Sequence, residues 1–226
     1  MKLKKLSLVG SEIFEVKTKR GYDAPFNLEF DIKESGNNKA NFNGSGIYII
    51  TYDKNPIYIG LFRPFGRNDV RKVRWKKHIK TFTNRGYNLG IGKKILDSIK
   101  DKKYPEDLIS NYRVQSTGCQ TSKNRLKFAH KNWGKFNGDK DNLQVELKNF
   151  SFNYYQLSWK SDDGLENKSL FPNIAASLES YLIAKFKPEC NKEGVDGRNK
   201  VTVENIESKM KSFIESINNF KLNPDF

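Results

Sequence analysis

Two cysteines and two histidines are all that the 226 residues provide. Cys119 and Cys190 are far apart, no CxxC pair exists, and His78 and His130 do not complete a short-spaced set. A structural zinc site needs about four Cys or His ligands at close spacing, so none is expected. A disulfide framework is not expected either, and the chain reads as cytosolic. Long apolar runs are missing too. None reaches 18 residues, so no membrane span is expected. The opening MKLKKLSLVGSEIF is basic but has no apolar core of useful length, which argues against a secretory signal. Acidic residues are the scarce charge: 26 Asp and Glu stand against 41 Lys and Arg, a net +15. Such an excess favours polyanionic partners, meaning nucleic acid or an anionic surface.

Aromatic residues, by contrast, are plentiful. With 16 Phe and 10 Tyr the chain can bury a real core, and wholesale disorder is not expected. Its length suits one large domain, or a small domain with additions. Residues 1–45 form a polar, basic lead-in in which KLSLVG and IFEVKTK could be short strands. The stretch 34–46 is a loop by composition. GIYIITYDKNPIYIGL (46–61) reads as a hairpin: two β-branched and aromatic runs flank a polar turn. With 52–56 as the loop, 48 pairs with 60 and 50 with 58. Tyr48 and Tyr58 then lie on one face of the sheet as diagonal neighbours.

A helix is expected over 69–82, with Arg67, Arg71, Arg74 and His78 along one face. Trp75, Ile79 and Phe82 form the adjoining apolar stripe. A second short helix is expected at 92–100. Residues 101–149 are polar, mixed and weakly periodic, like an inserted region. FSFNYYQLSW (150–159) reads as a strand. Asn173 is a candidate N-cap for a helix over 174–186, which must stop before Lys187-Pro188. The last helix, 203–220, carries Val203, Ile206, Met210, Phe213, Ile217 and Phe220 at alternating +3/+4 steps. Its own core or a second copy of the chain would cover that stripe.

Gly46-Ile47-Tyr48 and Tyr58-Ile59-Gly60 resemble the paired tripeptides of the GIY-YIG nuclease family in identity and spacing. Three further matches follow in the family's order. Arg74 falls on the helix after the hairpin, and His78 stands one turn later, as in the family's restriction enzymes. Glu179 lies on a helix face whose neighbours are Ala175, Leu182 and Ile183, where a carboxylate is costly unless paired or bound to a cation. Lys187-Pro188 and then Asn191 close that helix as the family's motif does, and VDGRN (195–199) resembles a turn of its restriction enzymes. The likeness covers roughly 46–82 and 150–199. One position departs from the pattern: many members carry a lysine after the second tripeptide, where this chain has Leu61. Arg63 or a lysine of the next helix is the candidate replacement.

The resemblance implies an α+β fold: a small three-stranded antiparallel sheet flanked by helices. It divides the chain into an N-terminal extension (1–45) with DNA contacts, a catalytic domain (46–199) with an insertion at about 101–149, and a C-terminal helix (200–226) for docking or dimerisation. It implies a magnesium-dependent endonuclease cutting double-stranded DNA, most like a type II restriction enzyme. A homing or repair nuclease is the rival within the class, and a non-catalytic nucleic-acid-binding protein the rival outside it. Glu179 would hold one Mg2+, with Mn2+ as a substitute. Arg74 would contact the scissile phosphate, and Asn191 would brace the site. Tyr48, Tyr58 and His78 are the candidates for taking the proton from water. Cations beside Tyr48 are expected to lower its pKa, and His78 is expected near its ordinary value. Palindromic sites would favour a homodimer.

Overall fold

The computed structural model describes residues 1–22, 27–33, 42–64, 69–85, 120–158, 171–192, 194 and 201–222. The expected helix at 92–100, Arg67, Cys119 and the 195–199 turn lie outside these residues, as does most of the 34–46 loop.

The architecture is α+β. A four-stranded antiparallel sheet is assembled from β1 (Lys2–Val9), β4 (Gly46–Tyr52), β5 (Asn55–Phe62) and β6 (Phe150–Ser158) in the order β1-β6-β4-β5. β2 (Phe14–Thr18) and β3 (Leu28–Ile32) form a separate antiparallel ribbon. The sheet thus has one strand more than expected, and that strand comes from the lead-in. β1 reads as polar because it is an edge strand whose lysines are solvated while Leu3, Leu6 and Leu8 turn inward, half-buried.

Alternation along β4 and β5 divides the core into two layers. Tyr48, Ile50, Tyr52 and Tyr58 face one side with Trp75, Phe82, Phe128, Phe136 and Phe152. Ile47, Ile49 and Ile59 face the other with Leu178, Leu182, Ile206 and Met210. β4 is buried along its whole length, which explains its nearly unbroken apolar sequence.

The first layer is closed by α2 (Lys76–Phe82), α3 (Gln120–Lys131), α4 (Trp133–Phe136) and α5 (Lys140–Glu146), and edged by the one-turn α1 (Gly10–Ile13). A π-helical turn, Arg71–Trp75, leads into α2, so the expected continuous helix changes pitch beside Arg74. The described part of 101–149 is helical, and Phe128, Phe136, Leu143 and Leu147 are core residues. Its periodicity is weak because α4 and α5 span only four and seven residues. Arg85, buried after α2, ties this layer together by donating from Nη2 to the Phe136 carbonyl at 2.6 Å.

The second layer is α6 (Phe171–Phe186) and α7 (Val203–Leu222). α6 begins two residues before Asn173, which therefore sits in its first turn rather than capping it. α7 runs two residues beyond the expected end, and its Ile206, Met210 and Ile214 are buried on the chain's own core. No helix among the described residues is long and apolar enough to cross a membrane.

Trp75 anchors the first layer. It is fully buried, with ring centroids 5.6 Å from Phe42 and 5.0 Å from Phe152. Trp75→Ala is expected to cost about 3–5 kcal/mol of stability, read as a fall in the urea midpoint at constant slope. A shift worth under about 1 kcal/mol would remove Trp75 from this role.

Candidate active site

The hairpin brings the two tyrosines together as its pattern requires. Tyr48 pairs with Gly60 and Ile50 with Tyr58, so the phenol rings are diagonal neighbours, 6.0 Å between centroids. The turn is tighter than 52–56. Tyr52 already pairs with Asn55, and Asp53 and Lys54 both take positive φ (48° and 67°), as a two-residue hairpin loop needs. A bulge restores the expected register, because Thr51 pairs with Pro56 and Ile57 is the extra residue. Gly60 is glycine for a steric reason: a Cβ there would collide with the Tyr48 ring across the strand. At Gly46 the Tyr155 carbonyl leaves no room for one.

α2 supplies the third ring. Tyr48 Oη and His78 Nε2 are 2.7 Å apart in a hydrogen bond, and the His78 ring lies 4.5 Å from that of Tyr58. Tyr48 is 2% exposed and His78 5%. Burial decides their ionisation. It raises the Tyr48 phenol well above its ordinary value, against the opposing pull of Arg74 and Arg125. It lowers His78 well below its ordinary value, and Arg125 and Arg74 push the same way. The expected lowering of Tyr48 by nearby cations is therefore outweighed by desolvation. His78 does not stay near its usual value either, so the pair rests as neutral phenol and neutral imidazole. His78 Nδ1 is buried without a hydrogen-bond partner.

β5 is an edge strand, and its outward backbone groups decide where the remaining residues go. The Asn191 side chain accepts from Ile59 N–H at 2.9 Å and donates to the Ile59 carbonyl at 2.8 Å, completing that residue as a neighbouring strand would. One step out of register on either side, Cys190 N–H donates to the Ile57 carbonyl, and Leu61 N–H donates to Glu179 Oε1 at 2.8 Å. Glu179 is half-buried. Desolvation raises its carboxyl above the usual range, opposed by the Leu61 amide and by the charges of Arg63 and Arg74.

Tyr48, Tyr58, Arg74, His78 and Glu179 line one cavity of about 400 Å3. Leu61, Arg63, Lys77 and Arg125 complete its wall. Five of the six expected site residues therefore converge. The sixth, Asn191, lies behind the wall, 3% exposed, and holds β5 in place. Both candidate replacements for a cation at position 61 are present, Arg63 on the strand side and Lys77 on the helix side. Leu61 itself contributes through its backbone, which no side-chain identity reveals. Arg125 of α3 was not legible as a site residue, because it lies in a stretch with weak periodicity and many other cations. A larger cleft of about 880 Å3 lies between the ribbon and Lys72 and Lys76. Its Lys17 and Lys76 are both ion-paired to Asp31, at 3.1 and 3.0 Å.

Glu179 is the one carboxylate on the active cavity among the described residues, and those residues contain no cluster of three or more metal-ligating side chains. A lone hard oxygen ligand suits a divalent cation that keeps most of its sites for water and phosphate, as magnesium does.

Acid should expose the buried histidines. Burial holds His78 well below its ordinary value and lowers His130 to about 3. Below pH 6.5 the unfolded chain binds protons that the folded chain refuses, so stability falls as pH falls. Each histidine should contribute roughly 1.4 kcal/mol of loss per pH unit in that window. Urea unfolding between pH 7 and pH 5 checks this. His130→Leu should remove about half of the slope, and an unchanged slope would contradict the burial argument.

Against this geometry, no family model, no curated protein and no solved structure matches the chain.

Proposed function

We propose that this chain is a divalent-metal-dependent endonuclease of the GIY-YIG type, acting on double-stranded DNA as a type II restriction enzyme does. The observation that carries the reading is the convergence of Tyr48, Tyr58, Arg74, His78 and Glu179 on one cavity from two strands and two helices. Strand and helix periodicity accounts for Tyr48 beside Tyr58 and for Arg74 beside His78, but nothing local brings the hairpin, the helix after it and Glu179 together. The net charge of +15 supports a polyanionic substrate.

Hydrolysis of a phosphodiester adds water across one P–O bond, giving a terminal phosphate and a free hydroxyl. The water must lose a proton, and charge developing on the phosphate oxygens and the leaving oxygen must be offset. In the hydrogen-bonded Tyr48–His78 pair, Tyr48 would take the water's proton as its own phenol proton passes to an unprotonated His78 Nε2. The pair's resting neutrality suits it to take a proton once an anionic substrate fills the cavity. Tyr58, held in contact with both rings, orients the attacking water. Arg74, exposed on the cavity wall, contacts the scissile phosphate with a fork that matches its oxygens. Glu179 is the residue that would hold Mg2+, which supplies positive charge to the phosphate and leaving oxygens when bound. Asn191 keeps Tyr58 and Glu179 in register by fixing Ile59 between them.

Digestion of a long phage DNA with Mg2+, beside an EDTA control, tests the reading. Discrete bands that require metal are expected. Glu179→Ala should abolish cutting while DNA binding persists in a gel shift. Arg74→Ala should lower the rate by roughly 10²–10³ with a modest loss of binding. Binding without cleavage on several DNAs, modified and unmodified, would favour a non-catalytic nucleic-acid-binding protein instead. Mg2+-dependent cutting by Glu179→Ala would remove Glu179 from the metal role.

A further inference from the structure

Arg125 enters the cavity from α3, outside every motif that led to the site. Its Nη2 donates to the Tyr58 hydroxyl at 3.1 Å, and its guanidinium carbon lies 4.8 Å from the Tyr58 ring centroid. Its Nε is buried and has no hydrogen-bond partner. A guanidinium carries five N–H donors in a planar fork. Its hydrogen-bond partner is a neutral phenol, and no carboxylate among the described residues forms an ion pair with Arg125. Glu179, the cavity's carboxylate, is engaged by the Leu61 amide and influenced by Arg63 and Arg74 instead. Arg125 is half-buried on the cavity wall, and a guanidinium there with no carboxylate paired to it offers its donors to an arriving anion.

Arg74 and Arg125 line the same cavity, with Tyr48, Tyr58 and His78. Both guanidiniums act on the charge of Tyr48 and of His78, so an anion between them would meet two forks at once. We propose that Arg125 is a second phosphate-gripping residue of this site, closing with Arg74 on one phosphodiester. The identity of the anion as a phosphodiester rests on the nuclease reading; the anion site itself rests on the uncompensated guanidinium. The contact with Tyr58 gives Arg125 a positioning role as well. Tyr58 is hydrogen-bonded with Tyr48 as well, so Arg125 braces a ring that is already tied to the site.

The test is equilibrium binding of a fluorescent 30-base-pair duplex of mixed sequence, in EDTA, across a salt series. The variants are Arg125→Met, which keeps the stem over Tyr58, and Arg125→Lys, which keeps the charge. Loss of one phosphate contact should make the slope of log K against log salt shallower by about one unit in Arg125→Met. Arg125→Lys should restore most of it. An unchanged slope in a folded Arg125→Met protein overturns the proposal. If that variant does not fold, phenylglyoxal labelling of the wild-type protein, mapped by mass spectrometry, decides the matter. Duplex DNA should protect Arg125, and equal labelling with and without DNA overturns the proposal. The two readings fail separately. A shallower slope in a protein that never cleaves keeps the anion site and discards the nuclease. Glu179-dependent cleavage with an unchanged slope does the reverse.

Discussion

The free edge of β5 is the constraint around which the rest is arranged. An edge strand presents N–H and C=O groups that must be paired, covered or solvated. Here Cys190, Asn191 and Glu179 reach Ile57, Ile59 and Leu61 in turn. Three successive outward positions are thus served by a helix and the loop after it, not by a strand. This brings α6, which belongs to the far layer of the core, round to the side where Tyr48, Tyr58 and His78 lie. The cavity exists because the two layers meet at that edge. A fifth strand at the same place would satisfy the backbone equally well, but it would close the cavity and displace Glu179.

Within the cavity, desolvation and charge compete, and their balance differs from group to group. For Tyr48 the loss of water outweighs two guanidiniums. For His78 the two influences act in the same sense. For Glu179 they oppose again, and burial leads. Every ionisable group that is not an arginine or lysine is therefore displaced toward its neutral form. Arg63, Arg74, Lys77 and Arg125 thus share the cavity wall with a single carboxylate, Glu179. Such a site is poised for an anion, because an incoming negative charge meets donors that have little else to neutralise them.

Much of this arrangement was legible in the residues, and the reason is geometric. Strand periodicity places Tyr48 beside Tyr58 without any knowledge of the fold, and the bulge at Ile57 compensates for a turn shorter than expected. The stripe of Trp75, Ile79 and Phe82 identifies the buried face of α2 even though the helix begins with a π-turn. Glu179 stood out as a carboxylate among apolar neighbours. What was not legible depends on partners distant in the chain. β1 looks like a solvated tail until β6 is placed beside it. Phe128 and Phe136 lie among lysines and short helices, so no period marks them as core. Leu61 acts through its amide, and Arg125 is one basic residue among many until Tyr58 is placed opposite it.

The position of β6 has a consequence for how the chain acquires its shape. β6 lies between β1 and β4, pairing Val9 with Ser151 on one side and Tyr52 with Phe150 on the other. The hairpin of β4 and β5 closes locally and can form as soon as it is made. The first strand, however, has no partner until β6 at Phe150–Ser158 is in place, and β4 shows an open edge from its own completion at Tyr52 until then. A chain emerging from the ribosome would carry both unsatisfied strand edges until β6 is made, and long-range pairing of this kind is slow. The lysines of β1, at positions 2, 4 and 5, then have a use before the fold is complete: their mutual repulsion discourages one nascent chain from pairing with the next.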